Sequence, residues 1–254
     1  MPLQIAFCTH RGATPGQQDS VLVGASVHQG ADLEVRAIID DDTLLVAIAD
    51  GLAVSPRSAA VSRALLEQLA IALPQCDDMP GRRLREAHRL LCEHAKRHPR
   101  LRGGASTIVA AQVTESRIAV SNCGDSRAYL RSANGDVRQL SRDHTELQRL
   151  IEAGSATEGT EYASFYDVLT DCITTDPDES DFAIHGREAR LDPGDLLVLC
   201  SDGVHDVLAK ADWHTMLGAA DNPATLVSAT RTAVLAAGAP DNFSVIAVSR
   251  TIVG

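Results

Sequence analysis

The sequence predicts an α+β fold in which two packed sheets are flanked by helix pairs. Short apolar or alternating runs, bounded by turn residues, dominate both ends of the chain, as strands do. Two blocks with helical spacing interrupt them, Arg57–Leu73 with Arg82–His98 and Ala211–Ala219 with Ala224–Ala237. Regular strand–helix alternation, which a doubly wound parallel sheet requires, is absent.

In order, Gln4–Cys8, Val21–Val27 and Leu44–Ala49 read as strands. Ser55-Pro56 then reads as a helix N-cap with proline at the first helical position, and Ala60, Ala64, Leu65 and Leu69 recur at helical spacing. In the second helix Leu84, Leu90 and Leu91 form an apolar stripe. Its other face is basic, with Arg82, Arg83, Arg85, Arg89, Lys96 and Arg97, and Arg100 and Arg102 follow. Solvation is the ordinary use of such a face; docking of an acidic partner is the other. Strands resume at Ser106–Val113, Arg117–Ser121 and Ala128–Leu130, and Asn134-Gly135 is a strong hairpin signal. Leu196–Cys200, a helix pair split by Asn222-Pro223, and the strand Ser244–Val248 complete the order.

The 254 residues are 44% hydrophobic and 22% charged, an ordinary globular balance. A net charge of −11 argues against nucleic acid or an anionic membrane as partner. No apolar run approaches the roughly 18 residues of a membrane span. The N-terminus has neither a basic n-region nor a long apolar h-region, so the expected location is cytoplasmic. Cys8, Cys76, Cys92, Cys123, Cys172 and Cys200 show no C-x-x-C spacing and read as reduced, largely core residues.

One feature stands above this background. Leu-Leu-Val-Ala-Ile-Ala-Asp-Gly-Leu at 44–52 and Leu-Leu-Val-Leu-Cys-Ser-Asp-Gly-Val at 196–204 are near copies. Each is a buried strand that ends in Asp-Gly, so Asp50 and Asp202 project from rigid strand ends. Asp125, in the turn Asn122-Cys-Gly-Asp125, and Asp241, before the last strand, resemble them. Four carboxylates on turns between apolar strands point to a hard cation with oxygen ligands, Mg²⁺ or Mn²⁺ in preference to Zn²⁺. The alternative is that Asp-Gly marks ordinary turns.

These residues belong to an ordered series: Gln18-Asp19-Ser20, Ala49-Asp50-Gly51, Gly104-Ala105-Ser106-Thr107, Asn122-Cys-Gly-Asp-Ser-Arg-Ala-Tyr-Leu130, Gln139-Leu-Ser-Arg-Asp-His-Thr145, Gly194-Asp195 through Ser201-Asp202-Gly203, and Asp241-Asn242-Phe243-Ser244. The series resembles the metal-dependent serine/threonine protein phosphatases of type 2C, over roughly residues 10–249. The resemblance implies a four-layer αββα sandwich of two antiparallel sheets, formed as one domain over 1–254. It assigns 146–181 to a flap beside the site. It implies two Mn²⁺ or Mg²⁺ ions and room for a third, weaker one. Asp50 would bridge the first two, the Gly51 carbonyl would ligate one, and Asp202 and Asp241 would complete the ligand set of the first metal. Asp125 would hold the third ion and Asp19 would orient metal-bound water. A metal-bridging water or hydroxide would attack phosphoserine or phosphothreonine in line, without a covalent phosphoenzyme.

The chain departs from the family where substrate and leaving group are handled. Ser55 stands near a histidine proposed in relatives as general acid, and serine cannot donate a proton as histidine does at neutral pH. Thr14 stands where relatives carry an arginine, with Arg11 the nearby candidate for phosphate binding. Gln18 replaces an acidic residue. Metal binding is therefore a firmer expectation than fast turnover.

The lead expectation is a monomeric, stand-alone phosphatase whose counterpart is a serine/threonine kinase and its phosphorylated substrates. The alternatives are an inactive regulator of the same fold that binds a phosphoprotein or partner, and a metal-dependent phosphoesterase for small molecules. Weaker signals have simpler explanations. Cys76 and Arg82 have the C-x₅-R spacing of cysteine phosphatases, but Asp77 and Asp78 would repel phosphate. His94 and His98 lack the glutamate of a zinc helix. Ser106 lacks a nucleophile-elbow context. Asp143 reads as a helix N-cap and His144 as a structural hydrogen-bonding residue.

Overall fold

The computed structural model describes residues 2–251 except 42, 54, 56, 73–80, 116, 158, 159, 161, 163, 179 and 180. Cys76, Asp77, Asp78 and Pro56, which the sequence reading used, lie outside the described residues. The strands β1 (Leu3–His10), β2 (Asp19–Val23), β3 (Ser26–His28), β4 (Asp32–Ile39) and β5 (Leu44–Asp50) precede helices α1 (Ser58–Ile71) and α2 (Arg82–Arg97). Then come β6 (Ala105–Ser106), β7 (Ile108–Val113), β8 (Arg117–Cys123), β9 (Arg127–Arg131), β10 (Val137–Gln139), α3 (Glu146–Glu152), β11 (Ile173–Thr174) and β12 (His185–Arg190). The last elements are β13 (Leu196–Cys200), α4 (Asp202–His205), α5 (Lys210–Ala219), α6 (Pro223–Ala236) and β14 (Phe243–Arg250).

Two six-stranded sheets result, ordered β10-β9-β13-β14-β1-β4 and β12-β8-β7-β5-β2-β3, with β11-β6 as a small third sheet. The strand pairs are antiparallel. Alternation within β5 shows why its run is continuously apolar. Leu44, Val46 and Ile48 enter the core between the sheets, beside Phe7, Leu197, Leu199 and Ile246. Leu45, Ala47 and Ala49 face the other way, onto Leu65, Leu69 and Leu91 of α1 and α2. On the outer face of the first sheet, Trp213, Leu217 and Leu226 of α5 and α6 pack on Tyr129 and Val198. The four layers are those expected.

The details correct some readings. Val21–Val27 is two strands, because Gly24 turns the chain at φ +61°. Ser106–Val113 breaks at Thr107, whose N–H leaves the ladder for the Asp50 carbonyl at 2.8 Å. The residue capping α1 is Arg57, and no side chain caps the helix. Helix α3 is capped by Thr145, which accepts from the Gln148 N–H, and not by Asp143. Asn222 caps α6 as its Asn-Pro step suggests, accepting from the Thr225 N–H with Pro223 in the first turn. Strands β4 and β12 were not anticipated. β4 does alternate, through Leu33, Val35, Ala37 and Ile39, whereas β12 is a polar edge strand, His-Gly-Arg-Glu-Ala-Arg. The described part of 146–181 holds α3, a 3₁₀ turn at Ser164–Asp167 and β11.

Candidate metal centre

The two near-copy strands lie in opposite sheets, β13 in one and β5 in the other, so their Asp-Gly ends face each other across the sandwich. Asp50 ends β5 on the side of Val46 and Ile48 and therefore faces the gap between the sheets. Its carbonyl accepts from the Thr107 N–H and the Ser106 hydroxyl, each at 2.8 Å, which fixes the strand end. Gly51 carries no side chain because a Cβ there would lie 2.5 Å from the Ser58 backbone at the start of α1. Asp202 opens α4, its Oδ1 accepting from the Gly203 N–H at 2.6 Å. A Cβ on Gly203 would stand 1.9 Å from the Asn242 carbonyl, so the turn is held against the start of β14.

Asp19 pairs directly with Asp50 across β2 and β5. It is fully buried. Its Oδ2 accepts from the hydroxyls of Ser201 and Ser244, both at 2.8 Å, while Oδ1 has no hydrogen-bond partner. Asp125 sits in the turn after β8. Gly124 there takes φ +101° over Thr107, its N–H donates to His144 Nδ1 at 3.1 Å, and its carbonyl accepts from Asn122 Nδ2. His144 thus has the structural role expected. Asp241 is exposed, with Oδ1 accepting from the Asn242 N–H at 2.7 Å.

The carboxylates crowd one another. Burial pushes Asp19 up to about 7, helped by the charge on Asp202. Burial and then Asp202 and Asp19 raise Asp50 well above the usual range. Burial also raises Asp202, with Asp206 and Asp241 adding repulsion, although its hydrogen bond with Asp50 opposes this. Asp125 is raised by burial and then by Asp202, Asp143 and Asp206. Such a set is costly unless protons or cations neutralise it. Among the described residues no three His, Cys, Asp or Glu side chains converge closely enough to ligate one ion by themselves. Mg²⁺ and Mn²⁺ are held by few carboxylates and complete their shells with carbonyls and water. The unpartnered Oδ1 of Asp19 and the oxygen-only donors fit this group of ions.

Arg11 is not brought to the carboxylates by any contact. Its side chain is exposed and makes no hydrogen bond or ion pair among the described residues, while its carbonyl accepts from Asn242 Nδ2 at 2.7 Å. Ser55 also turns away, its hydroxyl donating to the Gly103 carbonyl at 3.0 Å. Gln18 donates to the Ser58 hydroxyl at 2.6 Å. The Ser106 hydroxyl is buried on the Asp50 carbonyl, and His94 and His98 simply stack, centroids 4.1 Å apart.

Sequence reading missed the supports. Ser201 and Ser244 hold Asp19, and Asn242 ties the 11–18 loop to β14. Their signal was small polar residues at the ends of apolar strands. A cleft of about 240 Å³ opens beside Asp125, lined among others by Asp143, Asp167, Asp206, Lys210 and His214.

The family model for protein phosphatase 2C matches residues 34–236. The chain belongs to the protein phosphatase 2C family. A relative, the serine/threonine protein phosphatase PstP of Mycobacterium tuberculosis, is 30% identical over 213 residues. That match covers 80% of this chain but 39% of the relative, so the chain spans well under half of that protein's length. The crystal structure of the Mycobacterium tuberculosis serine/threonine phosphatase PstP/Ppp has a similar fold, with TM-score 0.77 at 22% identity, covering 99% of this chain and 100% of that one. The catalytic domain of PstP in complex with two manganese ions gives TM-score 0.73 at 23% identity, covering 98% and 99%.

Proposed function

We propose that the chain dephosphorylates phosphoserine and phosphothreonine in proteins with the help of Mn²⁺ or Mg²⁺. The observation that carries this reading is the set of mutually repelling carboxylates Asp50, Asp202 and Asp19, brought together from opposite sheets. Family membership supports it, and the manganese ions of the related catalytic domain support the choice of metal. Asp50, the Gly51 carbonyl, Asp202 and Asp241 would hold two ions, and Asp125 a third. When bound, the ions would neutralise the phosphoryl group and activate water for attack on phosphorus.

The chain's own residues do the rest. The serine pair fixes one oxygen of Asp19, leaving the other aimed by a rigid carboxylate to orient a water. Pinning of the Asp50 carbonyl by Ser106 and Thr107 holds the opposite wall. Arg11 is the nearest candidate from the first loop to meet the phosphate. Among the described residues no partner holds its guanidinium, which leaves it free to meet an anion.

The reading takes the chain as one phosphatase domain acting as a cytoplasmic monomer opposite a serine/threonine kinase. No helix among the described residues is long and apolar enough to cross a membrane. The test is phosphate release from a phosphothreonine peptide with Mn²⁺, with Mg²⁺ and with excess chelator, using Asp202→Asn as control. Metal-dependent release that the variant loses is the expected result. Manganese binding without release would favour the inactive regulator. Release from small phosphate esters alone would favour the small-molecule phosphoesterase.

A further inference from the structure

The basic stretch around α2 divides into two parts. Most of its cations are satisfied within the molecule. Arg83 donates to Gln112 and the Leu69 carbonyl, and Arg85 to the Phe182 carbonyl. Arg89 pairs with Glu86 and Lys96 with Glu93. At the C-terminal end the pattern changes. Arg97 and Arg100 are exposed and make no hydrogen bond or ion pair among the described residues. Among the described residues Arg102 reaches only the Lys96 carbonyl, at 3.4 Å, and Arg57, from the loop before α1, only the Pro99 carbonyl, at 3.1 Å.

The carboxylates that face this end are already engaged. Glu67 of α1 pairs with Arg63 and Glu93 with Lys96, while Asp176, on the flank toward Cys92, accepts from the Asp178 N–H. Among the described residues none of these four guanidinium groups makes a salt bridge, on a chain of net charge −11. Basic residues in the last turn of a helix complement its dipole. That accounts for Arg97, but Arg100 and Arg102 lie beyond the helix and Arg57 on another segment.

The position of the patch is specific. Ser55 donates to the Gly103 carbonyl, Leu52 N–H to the Ala105 carbonyl, and the Ser106 hydroxyl to the Asp50 carbonyl. Arg102 precedes Ser106 by four residues, so their Cα atoms are at most about 14 Å apart. An extended peptide covers that span in roughly four residues. The segment that carries Arg100 and Arg102 therefore runs into the wall of the carboxylate centre.

We infer that Arg57, Arg97, Arg100 and Arg102 dock the anionic flank of the phosphoprotein substrate, either acidic side chains or a second phosphate near the residue being dephosphorylated. This rests on the phosphatase reading. Guanidinium groups suit both anions, which they can bind by paired hydrogen bonds. The strongly negative remainder of the chain repels polyanions presented elsewhere, so the patch would set orientation and encounter rate.

The test compares phosphothreonine peptides with neutral flanks, with aspartate and glutamate three to six residues away, and with a second phosphothreonine there. The variants are R97E/R100E/R102E and the milder R100Q/R102Q, each checked for folding by its melting curve. Wild type is expected to favour both anionic peptides about fivefold in kcat/KM, mainly through KM, and less at high salt. A preference for only one of them would assign the docked anion to that source. The triple variant should lose the preference while hydrolysing p-nitrophenyl phosphate at the wild-type rate. Equal rates for all peptides, or a preference that survives in a folded triple variant, would overturn the inference.

Fluorescence anisotropy of the labelled anionic peptides, with chelator present, reads docking without turnover. Loss of binding in the triple variant would support the patch even if no substrate were hydrolysed, a result that would sink the phosphatase reading alone. No binding to wild type would overturn the patch. Anionic vesicles or DNA that bind as tightly and displace the peptide would overturn the assignment to a peptide.

Discussion

Asp19 and Asp50 stand directly opposite each other in the β2–β5 ladder, two acids paired across the inner face of one sheet. Asp19 is pushed up to about 7 by burial and by Asp202, from about 4 in an unfolded chain. Between those values the folded, metal-free protein keeps a proton that the unfolded chain has released. Its stability must therefore fall as pH rises through that window. The upward shifts of Asp50, Asp125 and Asp202 act in the same direction. Melting curves in chelator should show Tm falling from pH 5 to pH 8, and added Mn²⁺ should restore it. Asp19→Asn keeps an acceptor for Ser201 and Ser244 but cannot ionise. It should flatten the fall, raise Tm at pH 8 and remove turnover. A Tm that rises with pH, or an unchanged profile in the variant, would contradict this account.

Asn242 links the first loop to the last strand. Its Oδ1 accepts from the Gln18 N–H at 2.7 Å, and its Nδ2 lies 2.7 Å from the Arg11 carbonyl, 2.6 Å from the Thr14 hydroxyl and 2.9 Å from the Gly16 carbonyl. Truncation leaves buried groups unpaired, each at a cost of roughly 1–3 kcal/mol. Asn242→Ala should lower stability by about 3 kcal/mol in urea titrations with an unchanged m-value. It should also expose the 11–18 loop to proteolysis first.

Gly203 admits no side chain, because the Asn242 carbonyl occupies the space a Cβ would need. The nearest atoms are Asn242 backbone and the Phe243 Cβ, none of them the free end of a flexible side chain that could give way. Gly203→Ala should cost about 3 kcal/mol, at the upper end for overpacking. It should weaken manganese binding measured by calorimetry, since Asp202 moves with the turn. Wild-type affinity in a folded variant would show that Asp202 does not depend on this contact.

These supports explain how much of the molecule could be read in advance. The layers and most strands were legible because β5 and β13 are buried on both faces and so are uniformly apolar. The carboxylates were legible because Asp-Gly ends both runs. β12 was not, because an edge strand in solvent needs no apolar pattern. The Ser201–Asp19–Ser244 triad was not, because its members come from three separate parts of the chain. Asp143 was misread as a cap because its partner, Arg127, is distant in sequence and supplies a paired ionic contact that a cap does not.

That contact has a consequence at Asp125. Arg127 binds both oxygens of Asp143, with Nη2 at 2.6 Å from Oδ2, and Gln139 adds a third donor. The charge on Asp143 also raises the proton affinity of Asp125. Arg127→Met would leave Asp143 poorly compensated in a largely buried place, at a cost of about 2–4 kcal/mol. Arg127→Lys keeps the charge without the planar fork and should cost about 1 kcal/mol. The methionine variant should also change the affinity of the lowest-affinity metal site more than that of the others in a manganese titration. Uniform weakening of every site would mean that the ion pair acts only through the fold.

Ser55 provides the clearest separation of sequence position from spatial role. It stands five residues after Asp50, near the family's histidine, yet its hydroxyl donates to the Gly103 carbonyl and its N–H to the Leu52 carbonyl. It is 9% exposed. A side chain so directed cannot protonate a leaving group at the carboxylates. Ser55→Ala should therefore leave kcat unchanged and lower stability by about 1 kcal/mol, the loss of one hydrogen bond. Ser55→His must fit an imidazole into the space of a hydroxymethyl group against the 102–104 turn, so it should destabilise without raising kcat. A rise in kcat with a new pH-dependent limb near the histidine range would show that the loop can swing its side chain inward. Leaving-group protonation would then be the step that this chain has lost.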